Sequence, residues 1–170
     1  MSDSASTPLP AAEHQSSIWR WWKSLDVDRA GRAELRRCGG VSEVAFTAPY
    51  HRLLRALGSR LGDGDARRVA AIAAVLAHVE REPGDRAPLA RRMGAPKSAE
   101  GGAVVSDARF RHLLRSEEPE ELMRELIRAV RQVDRSAAVE SLFRDLMSWT
   151  ESTRMRWARE YYEAAPLSKP

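Results

Sequence analysis

Between Ser106 and Arg135 the chain reads SDARFRHLLRSEEPEELMRELIRAVRQVDR, and its apolar residues return with the period of an α-helix. Leu122, Leu126, Ala129 and Val133 define one side of a single helix. A strand would show alternation instead, because its side chains change face at every residue. Arg124, Arg128, Arg131 and Arg135 fall on one line opposite that apolar side. Guanidiniums aligned in this way repel one another weakly, so something should offset them. Two readings are open: a polyanion lying along the helix, or a solvated face relieved by neighbouring acids.

The same period recurs along the rest of the chain. Ser16 and Ser17 offer N-cap oxygens to a short helix, SIWRWWKSL, in which Ile18, Trp22 and Leu25 share a face with Trp19 beside it. Three clustered tryptophans suit either a base-stacking platform or core anchoring. DRAGRAELRR opens at Asp26 or Asp28 and stops at Gly39-Gly40, with Arg29, Arg32, Arg36 and Arg37 on its polar side. Phe46, Tyr50, Leu53, Leu54, Leu57 and Leu61 make one apolar stripe, with Arg52, Arg55 and Arg60 off it. Val69, Ile72, Leu76 and Val79 mark a fourth helix, from Asp65 to about Arg81, whose alanines permit close packing. Ser106 caps the next helix: Phe110, Leu113 and Leu114 point inward, Arg109 flanks them, and Arg111 and Arg115 point away. EEPEE places Pro119 and four glutamates at a helix start, where the dipole favours them without any catalytic role. Two last helices bury Val139, Leu142, Phe143, Leu146 and Trp149 or Thr150, then Met155, Ala158, Tyr161 or Tyr162 and Ala165.

No alternation with hairpin turns appears, so the expected class is all-α: a compact bundle of about seven or eight helices. Residues 82–105, punctuated by proline and glycine, form its one long irregular loop, in which only PLARRM suits a helical turn or two. Residues 1–15 are expected to be a disordered tail, and 16–165 a single domain.

Composition excludes more than it proves. Cys38 is the sole cysteine, so a disulfide or cysteine-based zinc site within the chain is excluded. LGDGDA lacks the further oxygen ligands of a calcium loop and reads as a turn. His14, His51, His78 and His112 are scattered, and no phosphate loop, HExxH or GxSxG motif occurs. No catalytic residue, metal or cofactor is therefore expected. With no secretory signal and no bilayer-spanning apolar run, a cytoplasmic location without membrane contact is expected. The net charge is +4, carried mainly by arginine, whose planar fork suits bidentate phosphate contact. From Arg29 to Arg60 the only acids are Glu34 and Glu43, a basic half of the chain.

In order, WWKSL, ELRR, APYHRLLRALG, RFRHLLR, the arginine-striped helix and LMSWT…WAREYY resemble CasB, the small subunit of the type I-E CRISPR surveillance complex Cascade. The resemblance runs from about Trp19 to Tyr162. It implies an all-helical, non-catalytic protein, present in two copies beside crRNA-bearing backbone subunits and near the large subunit. It also implies a basic face that holds target and displaced DNA strands. The family's basic positions carry over to Arg36, Arg37, Arg109, Arg115 and Arg128; Arg52, Arg111, Arg124 and Arg131 are added from their own placement on helix faces. The partners implied are the other Cascade subunits, crRNA, both DNA strands and a second copy. R-loop formation is a near-balanced exchange of duplexes, so sequence-independent backbone contacts suffice to tip it. The alternative is a helical adaptor that makes only protein contacts, its arginines neutralised by Glu120, Glu125 and Asp134 nearby on the helix.

Overall fold

Every residue from Val69 to Ala77 is buried, which makes the helix carrying them the axis of the molecule. The computed structural model describes residues 11–62 and 64–166. Among these there are ten α-helices: α1 (Ala11–Ser24), α2 (Arg29–Arg37), α3 (Val41–Val44), α4 (Ala48–Leu57), α5 (Ala66–Ala77), α6 (Leu89–Gly94), α7 (Asp107–Arg115), α8 (Pro119–Gln132), α9 (Val139–Met147) and α10 (Glu151–Ala164). The all-α expectation holds, and the only β pairing among the described residues is two isolated bridges, Arg81–Ser136 and Pro96–Ala103. The two helices beyond the expected eight are the short α3 and α6.

Helix α5 is apolar all round because it is enclosed all round, the usual fate of such a helix. Its alanines at positions 70, 71, 73, 74 and 77 keep its surface low. Helices α8, α3, α2 and α9 therefore pack against it from several sides, and α4 also touches it. Helix α1 lies across α4 and α9, and α6 packs on α10. Buried side chains from Ile18 to Tyr161 join in one contiguous core.

Local capping explains most boundaries. The Asp28 carboxylate accepts from Gly31 N at the start of α2, Thr47 Oγ1 from Tyr50 N in α4, and Ser106 Oγ from Arg109 N in α7. Pro119 occupies the first turn of α8, where its missing N–H costs nothing. Helix α1 differs from expectation: it begins at Ala11, so Ser16 and Ser17 lie within it rather than at its cap. Of the expected disordered tail, residues 1–10 lie outside the described residues.

Three more expectations are corrected. Phe46 does not join the apolar stripe of α4; it is 86% exposed, because Thr47 caps the helix and leaves Phe46 in the turn before it. In α10 Tyr161 is buried as one of the two expected tyrosines, but its buried companion is Trp157, while Met155 faces solvent. Polar partners set that phase: Trp157 Nε1 donates to Asp145 Oδ2 at 2.8 Å and Tyr161 Oη to the Val105 carbonyl at 2.5 Å. Apolar periodicity does not register such tips.

In the 82–105 segment PLARRM makes its expected helical turns, as α6, but the segment around it is not the irregular loop expected. Leu89, Ala90 and Met93 of α6 are buried, and Gly94 meets the backbone of α10 so closely that a Cβ there would lie 2.2 Å from the Tyr161 carbonyl oxygen. Beyond α6 the chain folds back on itself, Val104 N donating to Ala95 O and Val105 N to Met93 O, each at 2.9 Å. Its order comes from contacts distant in sequence, which a local reading cannot supply.

Candidate nucleic-acid interface

The outward side of α8 lies between two other basic elements. On one flank, Glu120 of α8 reaches Val41 N at 3.5 Å, at the start of α3 just beyond the end of α2. On the other, His112 of α7 lies 3.4 Å from Glu121 and 3.8 Å from Glu125. The start of α3, just after α2, and helix α7 thus border α8 on two flanks.

Charge along this surface is uneven. From Pro119 to Gln132, α8 carries three arginines and three glutamates and is neutral as a unit. Arg124 pairs with Glu120 and Arg128 with Glu125, each at 3.0 Å and within one helical turn. Arg111 is likewise held by Asp107 at 2.7 Å, on the flank of α7 that faces α10, where Tyr162 Oη also donates to Asp107. That proton-donating bond, followed by burial, raises the Tyr162 pKa. Arg109 and Arg115 are exposed and make no ion pair among the described residues.

Helix α2 is different. Four arginines face a single acid, Glu34, within Arg29–Arg37. Arg32 pairs with Asp26 at 3.1 Å. Arg36 turns inward, its Nε donating to the Ala77 carbonyl at 2.8 Å and its Nη2 pairing with Glu80 at 3.2 Å. A cation there complements the carbonyl end of α5. Arg37, the last residue of α2, is exposed and without an ion pair among the described residues.

Arg135 does not continue the α8 stripe as the sequence spacing suggests. Helix α8 ends at Gln132, and Asp134 and Arg135 both take positive φ, which turns the chain back toward α5. The Arg135 carbonyl accepts from Glu80 N at 2.8 Å, and its guanidinium lies 3.7 Å from Glu80 and 3.5 Å from His78 Nδ1. Arg36 and Arg135 therefore converge on Glu80 at the end of α5, and Arg131 from the last turn of α8 joins them around His78. His78 is only 2% exposed. Burial first, then the charges of Arg131, Arg36 and Arg135, push its pKa down from 6.5 to about 4, so the imidazole is neutral at physiological pH. One carboxylate, Glu80, bridges two of the three arginines, and Arg131 has no ion pair among the described residues.

Arg52 stands apart. It pairs with Asp28 at the opposite, N-terminal end of α2. The Gly31 N–H and then the Arg52 bond lower the Asp28 pKa, so this arginine serves a helix cap. His78, Glu80 and Arg135 are the members of the cluster that sequence reasoning did not assemble, and no local pattern signals them, because the loop after α8 alone brings them together. Among the described residues no group of His, Cys, Asp or Glu has the arrangement of a metal site, and no helix is long and apolar enough to cross a membrane.

Residues 31–162 match the family model of the CRISPR-associated protein Cse2. The chain belongs to the Cse2 family. The resemblance to CasB is thus borne out over most of its expected range, although the match begins at Gly31 and leaves WWKSL outside. The fold is similar to that of a chain in the crystal structure of E. coli Cascade bound to a PAM-containing dsDNA target, with a TM-score of 0.68 and 18% identity. That alignment covers 88% of this chain and 94% of the other. No curated protein matches the sequence.

Proposed function

We propose that this Cse2-family chain is a non-catalytic small subunit of a type I-E Cascade complex and holds DNA strands through the surface formed by α2, α8 and α7. The observation that carries the reading is the convergence of Arg36, Arg131 and Arg135 around a buried histidine kept neutral partly by their charge. Among the described residues only one carboxylate, Glu80, contacts that cluster, so an external polyanion is its natural complement. The arginines stand on helix ends and faces without base-reading geometry, which suits sequence-independent contact with phosphates. The guide RNA then does the reading. Partners on this reading are the crRNA-bearing backbone subunits, the large subunit, crRNA, the target and non-target strands, and a second copy of the chain.

Arg37 and Arg131 give the cleanest test, since both are exposed and neither makes an ion pair among the described residues. Replacing both by glutamate should weaken retention of the displaced strand by the assembled complex. It should also reduce the slope of log K against log salt by about 1.4, roughly 0.7 for each single-strand phosphate that is no longer neutralised. An unchanged slope overturns the reading.

Protein contact has its own support. Val27 and Phe46 are 90% and 86% exposed, large apolar side chains set in turns at the ends of α1 and α3. They suit contact with a neighbouring subunit rather than with DNA. Phe46→Ser should leave the melting temperature of the free chain unchanged and loosen assembly. If assembly is intact, Phe46 is not part of a subunit contact.

A further inference from the structure

A cleft of about 380 Å³ opens beside the arginine cluster, lined by Trp19, Pro83, Arg86, Ser141 and Arg144 with Glu82 and Glu140. We propose that this cleft receives one unstacked nucleotide of a single DNA strand, its base on the Trp19 indole and its phosphate between Arg86 and Arg144. The proposal rests on the DNA-holding reading and extends it from phosphate contact to base stacking.

The volume lies within the roughly 300–1,000 Å³ usual for small-ligand sites. Trp19 is held rather than loose: its Nε1 donates to Glu82 Oε2 at 3.3 Å, while Glu82 Oε1 accepts from Val139 N at 3.1 Å at the start of α9. Both oxygens of that carboxylate are thereby spent inside the protein. Neither arginine is similarly spent. Arg86, at a positive φ of 52°, is exposed and without an ion pair among the described residues. The carboxylate nearest Arg144, Asp145 at 4.0 Å, is already bound by Arg156 at 2.5 Å and Trp157 at 2.8 Å. The Lys23 ammonium lies 5.7 Å over the Trp19 ring and pairs with Asp26 at 3.4 Å. An aromatic wall with unspent arginines is the chemistry that holds single strands: the ring stacks on any base, and the guanidiniums take the backbone.

Position supplies the second argument. Residues 80–82 run beside 135–137, with Glu80 N and Arg81 N donating to Arg135 O and Ala137 N to Arg81 O. The same two segments hold the Glu80–Arg135 pair at one end and the cleft's Glu82 and Ala138 at the other. Two or three extended residues, about 7–10 Å, separate the cluster from the cleft. A strand following the basic surface past Arg131 and Arg135 arrives at Trp19.

The test compares binding of the full chain, at low salt, to a single-stranded oligothymidine and to an abasic strand of equal length. Trp19→Leu should weaken oligothymidine binding roughly five- to a hundredfold and leave abasic binding unchanged. Arg86→Asn with Arg144→Gln, exposed changes that spare the Trp19–Glu82 bond, should lower the salt slope by about 1.4 with both strands. Equal binding of the two strands by the wild type, or an unchanged slope in the arginine pair, overturns the cleft. The wider reading survives that result if Arg37→Glu with Arg131→Glu still weakens binding. Absence of binding by the wild type to either strand overturns both. If Trp19→Leu spares DNA binding but breaks assembly with the crRNA-bearing complex, the cleft docks protein and the proposal falls.

Discussion

The outer turn of α8 and the inner end of α5 hold comparable numbers of arginines and use them in opposite ways. On α8, Arg124 and Arg128 each have a glutamate within one turn, and the helix is neutral as a unit. At the end of α5, three arginines from α2, the last turn of α8 and the loop after it gather around His78, two of them sharing Glu80, and their field helps to keep the histidine unprotonated. Arginines balanced by their own helix decorate a surface. Arginines gathered from separate segments, with too few acids, make a potential. Spacing along one helix shows the first arrangement and is blind to the second.

Acid titration should separate the two regions most strongly. The His78 pKa falls from 6.5 unfolded to about 4 folded, so above pH 6.5 both states are neutral there and the group has no effect on stability. Between pH 6.5 and 4 the unfolded chain takes up the proton and the folded chain does not. Stability is lost across that window, by about 3 kcal/mol at most. His78→Gln should remove that portion of the acid-induced loss in denaturant melts; an identical pH profile in the variant would show that neither burial nor the cluster perturbs the ring.

Single-charge changes at the two regions should differ in their effect on binding. Arg131→Glu should free about one phosphate, a slope change near 0.7, whereas Arg124→Glu should have a smaller effect because Glu120 already screens that arginine. Equal changes would erase the distinction between them. Glu80→Gln removes the shared carboxylate. It should tighten binding to a single strand several-fold at low salt and lower stability by about 1 kcal/mol, since two arginines are left without their partner. Weaker binding by that variant would mean that Glu80 positions the arginines rather than opposing them. The smallest effect belongs to the exposed Arg124–Glu120 pair. A double-mutant cycle to alanine should give a coupling of roughly 0.3–0.5 kcal/mol, and a value above about 1 would make α8's ion pairs structural.

Much of the framework was legible. Apolar spacing located the eight longer helices, and the caps at Asp28 and Ser106 lie where the sequence suggested. The phase of α10 and the start of α4 were less legible, because what fixes them is not apolar. Trp157 and Tyr161 are placed by buried hydrogen bonds to Asp145 and Val105, and Phe46 is expelled by a threonine cap. Helix α6 was faint because Leu89 and Met93 find their burial on α10, some sixty residues later in the chain. Of the arginines, those on α7 and α8 could be assigned to faces directly. Arg36 and Arg135 could not, since one turns inward to Ala77 and the other follows a positive-φ turn back to Glu80.

Sequence alone determined the helical class, the register of most helices, the family and the list of arginines, because those depend on residue type and on spacing within one turn. Tertiary structure alone decided which arginines keep an unspent charge. An ion pair within a helix forms wherever α8 is placed, but the cluster at His78 exists only once α2, α5 and the loop after α8 are packed together. Burial of His78 leaves little water to screen its ring from the three charges, and their outward field is, on the proposed reading, felt by a nucleic acid strand.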